Sequence, residues 1–157
     1  MHDMNVILLQ YLNSFTQYEI VQDFVFLFAD LPIFFLPIFL VVLWCYYSWK
    51  EKSIEEKKTL MYIFYACVIA ILISLLIQQF IHLERPETAL INSGKLLLDH
   101  IPDASFPSDH ASVSVAFLVA LFLFGYKKVF WYFLPFAIIM NISRVVGGVH
   151  WPFDVGA

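Results

Sequence analysis

Three short polar clusters interrupt an otherwise apolar chain: Glu84-Arg85-Pro86, Pro107-Ser108-Asp109-His110, and Ser143-Arg144 followed by His150 and Asp154. Ionisable groups beside apolar segments of membrane length are costly to keep, which points to function. The chemistry they suit is phosphoryl transfer. Arg85 and Arg144 are permanently charged forks matched to phosphate oxygens, and a pair of them with no abundant carboxylate partner asks for an anionic ligand. Ser108 stands where an apolar helix begins, so its hydroxyl is expected to cap that helix while the first-turn N–H groups face a bound anion. His110, in the same turn, suits a general acid for a leaving-group oxygen. His150 suits a nucleophile if a carboxylate holds its far ring nitrogen, fixing the tautomer and stabilising the positive charge that forms on attack. Asp154 is the expected holder, set by Pro152 in the first turn of a new helix.

Groups so far apart in sequence need helices to bring them together. Four stretches, 31–49, 60–81, 108–126 and 129–146, have the length and apolarity of membrane spans, which need roughly 20 residues each. Ahead of them, residues 1–30 read as two short helices lying in the membrane interface, broken at Asn13-Ser14 and carrying Glu19, Gln22 and Asp23. Asp30 reads as the N-cap of the first span, with Pro32 in its first turn, rather than as a buried acid. Lys50, Lys52, Lys57, Lys58, Lys127 and Lys128 gather at the two turns between paired spans, which assigns that side to the cytoplasm. Alternating the spans then delivers all three polar clusters to the opposite, outer face. One composite site is the expected result.

Composition agrees with a membrane protein and narrows the partners. Apolar residues make up 61% of the 157 and charged residues only 14%, with mean hydropathy +0.78, more than a soluble domain of this length needs for one core. A net charge of -4 offers no basic surface for nucleic acid. Cys45 and Cys67 lie in apolar runs and read as small buried hydrophobes. The start lacks a basic run and a small-residue cleavage site, so the spans themselves are expected to direct insertion. No internal repeat, low-complexity segment or soluble second domain is legible, and nothing in the sequence fixes an oligomeric state.

The clusters also carry a resemblance. Arg85-Pro86, then Pro107-Ser108-Asp109-His110, then Ser143-Arg144 with His150 and Asp154, resemble the tripartite signature of the type 2 phosphatidic acid phosphatase superfamily. The stretch from Asp103 to His110 and the ending Gly148-Val149-His150-Trp151-Pro152-Phe153-Asp154 are most similar to bacterial undecaprenyl-diphosphate phosphatases of the bacitracin-resistance type. The resemblance covers the second span to the end; the first 58 residues match only in character. It implies that His150 forms a phosphohistidine, that Asp154 orients it, and that His110 protonates the departing oxygen and later activates water. Arg85, Arg144 and Ser108 would hold phosphate oxygens, with no metal and no cofactor. The superfamily's usual lysine seven residues before the arginine is Gln78 here. Two helical turns keep Gln78 on the face of Arg85, able to donate a hydrogen bond to phosphate but supplying no charge. Lys95 is a replacement charge or, more plainly, a solvated loop lysine. The resemblance also implies a further C-terminal span beyond Ala157, so a truncated chain is expected.

The resulting expectation is an all-α polytopic membrane bundle, a single phosphatase domain with residues 1–30 interfacial and 31–157 forming the bundle. It would hydrolyse the terminal phosphate of a lipid-linked diphosphate, undecaprenyl diphosphate, at the outer membrane face. A glycerolipid phosphate such as phosphatidic acid or phosphatidylglycerophosphate stays open as substrate. A non-enzymatic alternative makes His110, His150, Asp109 and Asp154 ligands of a divalent ion in a small transporter, although the two arginines would repel that ion. Asp109 reads as a helix-start acid without catalytic duty, and Gly147-Gly148 as a turn or a close approach to phosphate. His82 and His100 are expected to be helix-bonded or solvent-exposed.

Overall fold

Long apolar runs form the main helices of the chain. The computed structural model describes residues 2–51, 54–90, 94–98 and 104–156; Lys52, His100, Asp103 and Ala157 lie outside the described residues. In chain order the elements are α1 (His2–Ser14), a 3-10 turn (Phe15–Gln17), α2 (Glu19–Phe28), α3 (Leu31–Trp49), α4 (Ile54–Phe80), α5 (Glu87–Leu90), α6 (Asp109–Leu123), α7 (Lys127–Val146) and α8 (Pro152–Gly156). The fold is all-helical; no strand occurs among the described residues.

Two expectations about the spans are corrected. The third, expected over 108–126, is a helix of only 15 residues, or about 22 Å. Apolar composition continues past it, but the helix ends at Leu123 because Gly125 takes the left-handed conformation (φ 85°) and Tyr126 N–H closes onto the Leu121 carbonyl at 2.8 Å. Among the described residues three helical runs, rather than four, are long and apolar enough to cross a membrane. The second correction concerns the first of these runs. Only the two-residue turn Ala29-Asp30 separates α2 from α3, and the combined run Glu19–Trp49 reaches 31 residues.

The outer surface of this bundle is apolar. Only 22% of the most apolar stretch of α4 is buried inside the protein, and Val41, Val42, Ile69, Ile73 and Tyr132 face outward. Such a surface is stable against lipid and unfavourable against water. Inside, α4 packs along α6, and Leu40, Leu60, Ile63, Phe117 and Leu121 form the main core with Phe39 and Phe133 edge-on to Phe117 or to each other. Short connections make α3 and α4 antiparallel, and likewise α6 and α7. Hence the start of α3, the end of α4, the start of α6 and the end of α7 meet at one end, away from Lys50, Lys57, Lys58, Lys127 and Lys128.

That end is closed by the N-terminal helices. Asn13, fully buried in α1, donates to the carbonyls of Lys95 and Val146 at 2.8 Å each and accepts from Lys95 N–H at 2.8 Å. One amide thus ties α1 to the 94–98 segment and to the end of α7. Leu97 N–H donates in turn to the Gly147 carbonyl at 3.0 Å, and Val25, Ala29, Leu98, Val146 and Val149 fill the space between.

Candidate active site

The three clusters touch through hydrogen bonds accepted by backbone carbonyls. Ser108 N–H donates to the Asp154 carbonyl at 3.1 Å, Ser105 N–H to the Leu83 carbonyl at 2.8 Å, and Arg85 Nη1 to the Val149 carbonyl at 2.7 Å. Trp151 Nε1 donates to the Glu84 carbonyl at 2.8 Å. The exit of α4, the start of α6 and the loop after α7 therefore form one body. Expected site residues Ser108, Arg144, His150 and Asp154 are all buried in it.

His150 is held more tightly than its sequence reveals. Its Nδ1 lies 3.0 Å from the Ser105 carbonyl and 3.7 Å from Asp154 Oδ2. A carbonyl can only accept, so Nδ1 carries the proton and Nε2 keeps its lone pair. The closest holder is thus a backbone group the sequence does not reveal, while Asp154 stands at ion-pair distance, its Oδ2 fixed by Trp151 N–H at 2.8 Å. Burial is the main reason that the His150 pKa lies below 6.5; the charges of Arg144 and Arg85 push the same way and Asp154 opposes them. The imidazole is therefore neutral at pH 7.

Asp30 is the largest departure from expectation. It makes no side-chain cap on α3; its Oδ1 instead accepts from Arg144 Nη1 and lies 3.1 Å from His110 Nε2. Arg144 consequently has a carboxylate partner, contrary to the expected pair of unpartnered arginines. Ser108 also departs. It occupies the N-cap position of α6, and its carbonyl accepts from Ser112 N–H at 2.9 Å, but its hydroxyl caps nothing. That hydroxyl and Arg144 Nε are buried polar atoms without a hydrogen-bond partner, which is unfavourable unless a ligand completes them. Two residues expected to bind phosphate thus each keep a buried donor unspent.

Sequence comparison matches residues 59–157 to the PAP2 superfamily model. The chain belongs to the PAP2 superfamily. Among curated proteins it is similar to the bacitracin transport permease protein BcrC of Bacillus licheniformis, 31% identical over 99% of this chain and 73% of that protein. It is also similar to the undecaprenyl-diphosphatase BcrC of Bacillus subtilis strain 168, 26% identical over 97% of this chain and 75% of that one. The crystal structure of a transmembrane PAP2 type phosphatidylglycerolphosphate phosphatase from Bacillus subtilis shares the fold, with TM-score 0.67, 20% identity, and coverage of 98% of this chain and 76% of the other.

In this PAP2 chain Gln78 is spent on protein. Its Nε2 donates to the Pro107 carbonyl and to Asp109 Oδ1, both at 3.0 Å, and Ser74 Oγ donates to the same Asp109 oxygen. Gln78 and Ser74, one helical turn apart on α4, clamp the first turn of α6. Asp109 thereby ties the start of α6 to α4. Lys95 Nζ donates to Gln22 Oε1 at 2.9 Å, and His82 is solvent-exposed. The divalent-ion alternative loses its geometry, because His110, Asp109 and His150 each face different partners. Among the described residues no group of three or more His, Cys, Asp or Glu side chains could hold an ion.

Gly147 and Gly148 form a turn against the neighbouring loop. Gly148 has φ 83°, and a Cβ there would lie 2.7 Å from Leu90 Cδ1; a Cβ on Gly147 would lie 2.7 Å from Leu98 Cδ1. Gly148→Ala is expected to lower stability by roughly 1–3 kcal/mol through backbone strain plus the clash. Gly125→Ala, equally left-handed but meeting nothing within 4 Å, should cost less. Thermal unfolding of both variants in one detergent checks the order.

Alongside this polar end runs an apolar cavity of about 470 Å³ between α3, α6 and α7, lined among others by Phe28, Leu31, Phe35, Phe117, Phe136 and Met140. Phe28 and Leu31 flank the Ala29-Asp30 turn, and Met140 lies one helical turn before Arg144. The cavity therefore begins where the charged cluster ends.

Proposed function

We propose that this chain is a membrane lipid phosphatase that removes the terminal phosphate of an isoprenoid diphosphate, undecaprenyl diphosphate, by way of a phosphohistidine. The observation that carries the reading is the His150 tautomer. With Nδ1–H given to the Ser105 carbonyl, the lone pair on Nε2 is the one available to attack phosphorus. Arg144, Arg85 and the Ser108 hydroxyl would receive the phosphoryl oxygens, whose charge rises in the transition state. As the N–P bond forms, the bond from phosphorus to the bridging oxygen breaks, and the lipid monophosphate leaves with a proton from His110. His110, now neutral, takes a proton from water; the hydroxide attacks phosphorus, the N–P bond breaks, and inorganic phosphate leaves. No step requires a metal. Asp154, 3.7 Å from Nδ1, steadies the imidazolium that forms during transfer.

The lysine-rich end belongs on the cytoplasmic side by the distribution of positive charge, so the site faces outward. The diphosphate would sit at the membrane boundary with its tail running into the apolar cavity. The relation to the Bacillus subtilis undecaprenyl-diphosphatase supports this choice of substrate.

Phosphate release by the detergent-solubilised protein should be compared for undecaprenyl diphosphate, phosphatidic acid and phosphatidylglycerophosphate in EDTA. We expect activity in the chelator and a kcat/KM for the diphosphate at least about tenfold above either glycerolipid. Preference for a glycerolipid would overturn the substrate, and dependence on added metal would overturn the phosphohistidine route.

A further inference from the structure

We infer that Asp30 is a positioning residue of the phosphate site, its carboxylate holding Arg144 and His110 in place until a phosphoryl oxygen displaces it. The inference rests on the proposed phosphatase reading and concerns a residue outside all three clusters. A single oxygen, Oδ1, is shared by Arg144 Nη1 and His110 Nε2. These are the groups expected to bind the phosphoryl oxygens and to protonate the leaving group, and a phosphoryl oxygen asks for the same pair of donors.

Three observations favour displacement over a permanent structural bridge. Arg144 is 8% exposed, so before substrate arrives its charge needs an internal anion. Asp30, in contrast, has a side chain 49% exposed, so the displaced carboxylate is hydrated without leaving a buried unpaired charge. It also sits in the two-residue turn between α2 and α3 and makes no cap bond, so its release breaks no helix start. A carboxylate left beside an incoming phosphate would repel it. Asp30 must therefore withdraw as the substrate seats.

The test compares Asp30→Asn and Asp30→Glu with the wild-type chain in detergent, reading inhibition by orthovanadate, a phosphate-like anion, together with KM and kcat. Asparagine keeps the shape and an accepting oxygen but not the charge. We expect its orthovanadate inhibition constant and its KM to fall about tenfold, while kcat falls because His110 is held less firmly. Asp30→Glu, with charge retained, should stay within about threefold of wild type in both constants. A residue that only supports the fold would move neither binding constant downward. An inhibition constant unchanged or raised in Asp30→Asn overturns the inference alone. Failure of orthovanadate to inhibit the wild type overturns the phosphatase reading with it.

Discussion

Replacing His150 with alanine is expected to remove phosphate release almost completely, by at least about 10³-fold in kcat, because no other group can take over the attack on phosphorus. Radiolabelled terminal phosphate should be trapped on the acid-quenched wild type and be absent from the variant. Retention of activity within tenfold would exclude a phosphohistidine at this position. The same residue sets the acidic side of the pH profile. Attack needs the neutral imidazole, and burial, assisted by the arginine charges, lowers the pKa of His150. A lowered pKa keeps the neutral form populated to more acidic pH, so the acidic limb of kcat/KM should lie below 6.5, the ordinary histidine value. Asp154→Asn withdraws the group that favours imidazolium and should move that limb further down. It should also slow the reaction, because the charge formed on attack loses its counter-ion.

Hydropathy and motif order made the placement of these groups legible, and the places where legibility failed share a physical cause. Alternation of long apolar runs is enough to bring Arg85, His110 and Arg144 to one end, since helices joined by short turns must reverse direction. The spacing of His150 and Asp154, four residues around a proline, is also short enough to read directly. Hidden in the sequence were contacts made by backbone groups and by residues with two plausible duties. The Ser105 carbonyl holds His150, and no side-chain pattern announces a carbonyl. Asp30 precedes a leucine and a proline, a sequence that spells a helix cap as naturally as an ion-pair partner; only the proximity of Arg144 in space decides between them. Two helical turns do not link Gln78 to Arg85 after all, because α4 ends at Phe80, and Asp109 and Pro107 consume the Gln78 donors. The end of α6 is not legible in hydropathy because apolar character persists through Phe124-Gly125-Tyr126, while Gly125 turns the chain.

Arg144→Ala is expected to reduce kcat/KM by about 10²–10³-fold, the cost of removing a preorganised donor from a site where charge develops. Its burial sets it apart from Arg85, which is partly exposed. Arg144→Lys keeps the charge but loses the planar fork, and so should recover only part of the activity. Such a variant must be separated from one that merely misfolds, because deleting Arg144 also strips Asp30 of its partner. The double variant Asp30→Asn with Arg144→Ala makes that separation. Asp30→Asn alone leaves the buried Arg144 charge without its anion, whereas the double variant leaves no uncompensated charge, so it should be thermally more stable than Asp30→Asn alone. Activity should not recover, because the phosphoryl oxygens still lack the guanidinium. If stability and activity returned together, Arg144 would be a brace for the bundle and the phosphate would have to be held by other groups.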